Sequence, residues 1–235
     1  MNTLNQDSIF ATNEGNHWFQ RNAEAILHRG EKFDWPVHLI EKIRERREIR
    51  SVVELGCSNG WRLEHIRKLV APDCVFYGTD VSEQAIETGR KLYPWVNFSV
   101  STIAETNLDR QFDLVIVSFV LHWVSRETLF QSLYAIDRHV KTGEEGELGG
   151  FLLVADFLPD FPQKRQYAHR QDFEMYTYKQ DYAKIFTALN QYKEIARCLF
   201  NHDTEQSGAV SCVESSSQGA CVLLKKSIDA FYPVF

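Results

Sequence analysis

A short β-branched run that stops at an acid and then at a glycine-spaced turn constrains this chain more than any other feature. Residues 51–61 read Ser-Val-Val-Glu-Leu-Gly-Cys-Ser-Asn-Gly-Trp, and an amphipathic segment with Trp61, Leu63, Ile66, Leu69 and Val70 as its apolar set follows at once. The order is strand, tight turn, helix. Glycine at that junction lets the backbone approach a ligand closely and leaves free amides at the helix N-terminus. A dinucleotide fingerprint would need Gly-x-Gly-x-x-Gly to cradle a pyrophosphate. Only Gly56 and Gly60 are present here, with Glu54 just ahead. An acid there repels a pyrophosphate and suits a ligand carrying an ammonium or sulfonium group.

Two later segments add to this. The apolar run 74–79 ends at Asp80, and Ser82 reads as the N-cap of a helix over 83–91. An acid closing the second strand, about 20 residues after the turn, is positioned to accept hydrogen bonds from ribose hydroxyls. The segment 112–124 reads Phe-Asp-Leu-Val-Ile-Val-Ser-Phe-Val-Leu-His-Trp-Val, and its run 114–117 predicts a strand buried on both faces.

Glu54, Gly56 and Gly60 match (Asp/Glu)-x-Gly-x-x-x-Gly, so the turn resembles motif I of the class I S-adenosylmethionine-dependent methyltransferases. Phe112-Asp113-Leu114-Val115 resembles the motif that opens strand four of the same family, whose end faces the transferred methyl group. The resemblance covers roughly residues 35–227. It implies a Rossmann-like α/β three-layer sandwich with a seven-stranded sheet of order 3-2-1-4-5-7-6 and the seventh strand antiparallel. Residues 1–34 fall outside it and are expected to form an N-terminal helical lid, with the methyltransferase domain over 35–235. The segments 56–63 and 156–159, Tyr167, His169, Arg170 and residues 177–182 look like a bacterial subgroup associated with surface-sugar gene clusters, without naming a substrate.

Size and composition agree with one α/β domain. The chain has 235 residues, 44% of them hydrophobic and 25% charged, enough for a substantial core. A net charge of −6 argues against a nucleic-acid partner, which needs a dense basic surface. The basic residues Lys42, Arg44, Arg46, Arg47 and Arg50 are mixed with Glu41, Glu45 and Glu48, as on a solvated helix face. No run of ~20 apolar residues predicts a membrane span, and the N-terminus lacks a signal-peptide core. Five cysteines, at 57, 74, 198, 212 and 221, lack Cys-x-x-Cys spacing; free thiols, a reducing cytoplasm and no metal site are expected.

The periodicities predict helices over 17–29 and 35–47, then strand 51–55, helix 60–70, strand 74–79, helix 82–92, strands 96–101 and 112–118, helix 126–139 and strand 150–156. A helix near 178–190 and late strands near 194–202 and 219–227 follow, with a Ser/Gly-rich loop over 207–219. Alternation of this kind means a parallel sheet with right-handed crossovers.

Candidate site residues follow. For the cofactor, S-adenosylmethionine, they are Glu54, Gly56, Cys57 and Gly60 in the turn, Asp80 and Val81 after the second strand, and Ser118 and Phe119 after the fourth. Where many family members carry an adenine-binding acid, this chain has Thr102 and Ile103; a hydroxyl, a backbone amide and apolar surface would serve instead. Trp18 and Phe19 either cover the site as a lid or are plain core of a docking helix, and Arg21 is expected to pair with the methionine carboxylate. His122 and His169 are the candidate general bases, His122 with the alternative of a capping or core residue beside Trp123. Tyr167, Tyr176, Tyr178 and Lys179 are the candidate acceptor-binding residues.

These readings imply a methyltransferase acting on a hydroxyl or amine of a polar small molecule, with a sugar or surface-glycan precursor among the acceptors. One rival methylates a protein or peptide side chain. Another binds the cofactor as a non-catalytic regulatory subunit. No Asn-Pro-Pro-Tyr motif follows the fourth strand, where the chain reads Ser118-Phe119-Val120-Leu121, which disfavours adenine and glutamine methylation.

Overall fold

The computed structural model describes residues 5–44, 48–143, 149–170, 174–188, 190–203 and 215–227. Its N-terminal arm consists of α1 (Gln6–Ile9), a π-helical turn at Phe10–Glu14 and α2 (Gly15–Leu27); α3 (Trp35–Ile43) follows. Five parallel strands come next in sequence: β1 (Ser51–Leu55), β2 (Val75–Asp80), β3 (Val96–Val100), β4 (Leu114–Ser118) and β5 (Phe151–Phe157). Between them run α4 (Trp61–Arg67), α5 (Glu83–Leu92) and α6 (Leu129–His139). A small antiparallel pair, β6 (Gln163–Gln166) and β7 (Tyr176–Lys179), stands apart from the main sheet. Then come α7 (Ala183–Ala188), β8 (Tyr192–Asn201) and β9 (Gln218–Lys226).

The main sheet runs β3-β2-β1-β4-β5-β9-β8, with β9 antiparallel to both of its neighbours. Counted without the small pair, that is the order 3-2-1-4-5-7-6 with an antiparallel seventh strand, as expected. Every residue of β1 and β4 is buried, because helices cover both faces. On one face Leu39, Ile40, Leu63, Ile66 and Ile86 pack on Val52, Ile116 and Leu153. On the other, Leu133, Ile136, Ala183 and Phe186 pack on Val53, Val115 and Val117.

The segment after β5 departs from expectation. In place of one helix over 178–190, Tyr176–Lys179 pairs with Gln163–Gln166, and the helix is only Ala183–Ala188. Tyr-Thr-Tyr is rich in β-formers, and a partner strand is available to satisfy its backbone. The 207–219 loop, Cys212 and three members of the mixed charge cluster, Glu45, Arg46 and Arg47, lie wholly or largely outside the described residues. Among the described residues no helix is long and apolar enough to cross a membrane.

The arm is joined to the rest at several places, among them α5 and β7. Phe19 and Ile26 of α2 pack on Ala85 of α5, and the Asn16 side chain accepts hydrogen bonds from the Ser82 hydroxyl (2.8 Å) and the Gln84 N–H (3.2 Å). The Gln6 amide pairs with the backbone of Tyr176, accepting from its N–H (2.8 Å) and donating to its carbonyl (2.7 Å). Gln6 thus acts as a short extension of the β6–β7 ladder.

Asp113 ties the entrance of β4 to β1. Its Oδ2 accepts from the Ser51 hydroxyl (2.9 Å) and the Arg50 N–H (3.0 Å), and its Oδ1 from Lys141 Nζ (2.7 Å). Burial alone would raise this carboxyl; the hydrogen bonds from Lys141 and Ser51 outweigh it and hold the group below the usual carboxylate range. A carboxyl depressed in the folded state stabilises above its unfolded pKa and loses that contribution as pH falls through the folded value. Asp113→Asn should therefore cost about 1.5–3 kcal/mol near neutrality, the range for hydrogen bonds to charged groups. Urea denaturation of both proteins should show the gap shrinking below about pH 4, where the unfolded carboxyl itself protonates.

Candidate cofactor and acceptor site

A cavity of about 680 Å³ opens at the C-terminal ends of the parallel strands, where ligands collect in open α/β sheets. Its volume lies within the range typical of small-molecule sites. On the β2–β3 side it is lined by Gly56, Cys57, Ser58, Asp80, Val81, Thr102 and Ile103. On the β4–β5 side it is lined by Ser118, Phe119, His122 and Phe157, with Phe200 and His202 from the far edge. The arm contributes Trp18, and the hairpin contributes Arg165, Thr177 and Lys179.

The turn after β1 has the geometry its glycines predict. Gly56 and Gly60 take φ of +79° and +81°, in the left-handed region. The Gly56 and Cys57 N–H groups both donate to the Thr79 carbonyl, at 2.7 and 2.9 Å, which binds the turn to β2. A Cβ on Gly56 would lie 2.2 Å from Val120 Cγ2. Gly60 shapes the turn but does not line the cavity. Cys57 packs at the turn, and burial pushes its thiol well up, away from thiolate reactivity.

Asp80 sits against this turn. Its Oδ2 accepts the Ser58 N–H (2.8 Å) and its Oδ1 the Ser82 N–H (2.9 Å). A carboxylate offers about four acceptor positions, so two remain for hydroxyls of a ligand. Burial raises the Asp80 carboxyl while these backbone donors lower it. The Ser58 hydroxyl is buried with no hydrogen-bond partner among the described residues. An acid with open acceptor positions and an orphaned buried hydroxyl, side by side at the glycine turn, fit the nucleoside end of S-adenosylmethionine. Thr102 donates its hydroxyl to Glu105 (2.8 Å), and Ile103 presents apolar surface.

Glu54 departs from its expected use. It is fully buried, pairs with Arg62 and does not line the cavity. Burial raises its carboxyl to about 7 against the opposing pull of the guanidinium. Arg62 also reaches Asp34 through Nε (3.0 Å) and Nη2 (3.1 Å). Asp34 and Arg62, rather than Glu54, reach the cavity. Asp34 doubles as the N-cap of α3, accepting the Val37 N–H at 3.1 Å.

Trp18 faces the cavity, whereas Phe19 is core against α5. Arg21 turns away from the cavity. It pairs with the buried Glu14 and donates to the Tyr167 hydroxyl at 2.6 Å. Tyr167 is itself buried, donates to Glu14 (2.7 Å) and packs on Trp123. It ties the arm to the chain after β6 rather than meeting an acceptor. Tyr176 and Tyr178 also lie off the cavity, because alternation along β7 sends Thr177 and Lys179 inward. The outer rings carry Lys164 (3.7 Å above Tyr176) and Arg126 (4.3 Å from the Tyr178 centroid). His169 is exposed and outside the cavity wall.

His122 is the candidate base that the structure brings to the cavity. Its Nδ1 lies 2.8 Å from Asp156 Oδ1, and its N–H donates to Asp156 Oδ2 (3.2 Å). Asp156, at the end of β5, is itself buried and also accepts the Phe157 N–H at 2.7 Å. The pair joins residues 34 positions apart. Sequence reading missed His202, Trp35, Phe200 and the partnership of His122 with Asp156. His202 follows β8 with no motif around it, and meets Phe119 and Phe157 in tilted ring contacts at 4.7 and 4.8 Å. Burial among these rings pulls its imidazole below the usual histidine range. Asp34 had a local signal, an acid two residues before Pro36, which marks a helix start.

Residues 52–143 match the family model described as a methyltransferase domain. A curated viral protein, "Putative methyltransferase 235L" of Invertebrate iridescent virus 6, is 30% identical over 96 residues, 41% of this chain. The match spans only about a third of that relative, 35% of its length. Among solved structures, an S-adenosylmethionine-dependent methyltransferase from Clostridium acetobutylicum aligns with a TM-score of 0.58 at 14% identity, covering 92% of this chain and 98% of that one. The 1,6-didemethyltoxoflavin-N1-methyltransferase of Burkholderia thailandensis, solved with its substrate and S-adenosylhomocysteine, aligns with a TM-score of 0.60 at 10% identity, covering 94% and 87%. At such identities the likeness is one of fold. Residues 52–143 thus match a methyltransferase-domain model, and the chain shares its fold with S-adenosylmethionine-dependent methyltransferases.

Proposed function

We propose that this protein transfers a methyl group from S-adenosylmethionine to a hydroxyl or amine of a small polar acceptor, with His122 as general base. The observation that carries the reading is one continuous cavity with the glycine turn and Asp80 on one side and the His122–Asp156 pair on the other. S-adenosylmethionine would supply a sulfonium methyl, which passes to the nucleophile in line as S-adenosylhomocysteine leaves. Asp80 and the backbone of the turn would hold the ribose, Thr102 and Ile103 would border the adenine, and Ser118 and Phe119 would border the sulfonium. With Nδ1–H donated to Asp156, the neutral imidazole has Nε2 as its acceptor, and that nitrogen takes the proton of the attacking O–H or N–H. Asp156 fixes the tautomer and stabilises the imidazolium, as the acid of a triad does. Trp18 and the arm exclude water as a lid over residues 35–235.

A cavity roofed by the arm and the β6–β7 hairpin favours a small acceptor over a protein side chain. An ordered base–acid pair favours an enzyme over a regulatory subunit. Sugars and surface-glycan precursors remain within this class of acceptor, but Tyr167, Tyr176 and Tyr178, which pointed to them, do not line the cavity. Incubating the protein with S-adenosylmethionine and a metabolite extract tests the proposal. S-adenosylhomocysteine should form together with a product 14 mass units heavier than its precursor, about one CH₂; formation of neither would refute it.

Asp80→Asn should weaken S-adenosylhomocysteine binding at least ~10-fold, since a charge-assisted hydrogen bond is worth about 1.5–3 kcal/mol and 1.4 kcal/mol is tenfold. Unchanged affinity by calorimetric titration would remove Asp80 from the ribose site. Gly56→Val should abolish binding and lower stability, because a branched residue would take positive φ and overlap Val120. Thermal melts with and without S-adenosylhomocysteine read both effects. His122→Ala should lose about 10²–10⁴ in turnover with cofactor affinity intact. Asp156→Asn should move turnover the same way by a smaller factor. A variant pair within a few-fold of wild type would mean that proximity alone drives transfer.

A further inference from the structure

The wall facing the turn is aromatic and continuous. Phe119 lies 5.3 Å from Phe157, and His202 contacts both rings. Phe200 extends the wall from Phe119 (6.1 Å), and Trp35 stacks on Phe200 at 5.7 Å with planes 17° apart. His122 closes the other end, 5.0 Å from Phe157. Phe119 holds φ of +54°, a backbone conformation that bulky residues avoid and that persists where a side chain must be presented in one direction.

The charged groups beside this wall are basic, and the neutral ones are Ser118, Gln166 and Thr177. Lys179 Nζ sits 3.5 Å from the Phe157 centroid while donating to the Ser216 carbonyl (2.7 Å), and Arg165 also reaches the cavity. The acids lining the cavity are engaged elsewhere. Asp7 accepts from Ser125 (2.7 Å) and Thr128, Asp34 pairs with Arg62, and Asp80 belongs to the turn. A saturated sugar presents hydroxyls on successive carbons and needs several acceptors to bind them. This wall offers flat faces and positive charge instead.

We infer that the acceptor is a planar aromatic or heteroaromatic molecule bearing an acidic O–H or N–H, laid on the Phe119–Phe157–His202 wall with that group toward His122. This rests on the methyltransferase reading and narrows its acceptor class. Offset or edge-on contacts with such rings favour a planar ligand beyond the area they bury. Nearby cations favour the ionised form that the proton transfer produces.

Calorimetric titration of the full chain, first with S-adenosylhomocysteine and then with probes at saturation, tests the inference. The probes are 8-hydroxyquinoline and 3-hydroxybenzoate against glucosamine and N-acetylglucosamine. At least one planar probe should bind while the sugars do not. Phe157→Leu keeps an apolar side chain, three carbons smaller, and removes the ring face, and His202→Ala truncates a half-exposed side chain. Each should weaken that probe about 3- to 10-fold and leave S-adenosylhomocysteine affinity unchanged. Sugar binding alone, binding by no probe, or planar affinity indifferent to both variants would overturn the inference. Failure to bind S-adenosylhomocysteine would instead overturn the methyltransferase reading, and this one with it.

Discussion

The backbone of Gly56 is the constraint on which the site depends. At φ of +79° the chain leaves β1, hands two N–H groups to the Thr79 carbonyl and passes under Val120 with no room for a Cβ. One residue therefore fixes the relation of three strands. Its hydrogen bonds hold the end of β2, which sets Asp80 against Ser58. Its contact with Val120 holds the chain just after β4, which sets Phe119 and His122. Both sides of the cavity are referenced to one tight turn.

Buried charge near that turn is tolerated because it is shared. Taking one ion out of water costs several kcal/mol, and the cost is recovered only with close partners and satisfied hydrogen bonds. Arg62 answers Glu54 on one side and Asp34 on the other, across three segments of chain. The acid ahead of the turn thereby acts as an anchor for α4 and α3 and shapes the cavity wall indirectly.

The turn side of the cavity was largely legible in the sequence because its determinants are local. Strand, turn and helix lie in one short stretch, and Asp80 follows one crossover later. Alternation indicated a parallel sheet, and its strand order came from the family resemblance that the motifs carry. Apart from His122, the opposite side was not legible, because it is built by the ends of strands far apart in sequence. His122 meets Asp156 only because β4 and β5 are neighbours, and His202 reaches Phe157 only because β8 returns along β9. The tyrosines misled for a simple reason. Reading 178–190 as helix hid the period-2 alternation that turns Tyr176 and Tyr178 outward and Lys179 inward. Arg21 misled because its partners, Glu14 and Tyr167, are 7 and 146 residues away and no local pattern joins them.

Those same contacts determine how the roof behaves. Glu14 is fully buried, and its charge is met by Arg21 from its own helix, by the Tyr167 hydroxyl and, at 3.6 Å, by Arg170. Lifting the arm alone would part a buried carboxylate from Tyr167 and Arg170 and break the Gln6 pairing with β7. Lifting the hairpin alone would break the same contacts from the other side. Separation at this seam is costly, whereas the contacts of α2 with α5 are an apolar patch and a few exposed amide bonds. The arm is thus tied to β7 through Gln6 and to Tyr167 and Arg170 through Glu14, and it is tied as well to the chain after β4, where Asp7 accepts from the Ser125 N–H (2.7 Å) and the Thr128 hydroxyl.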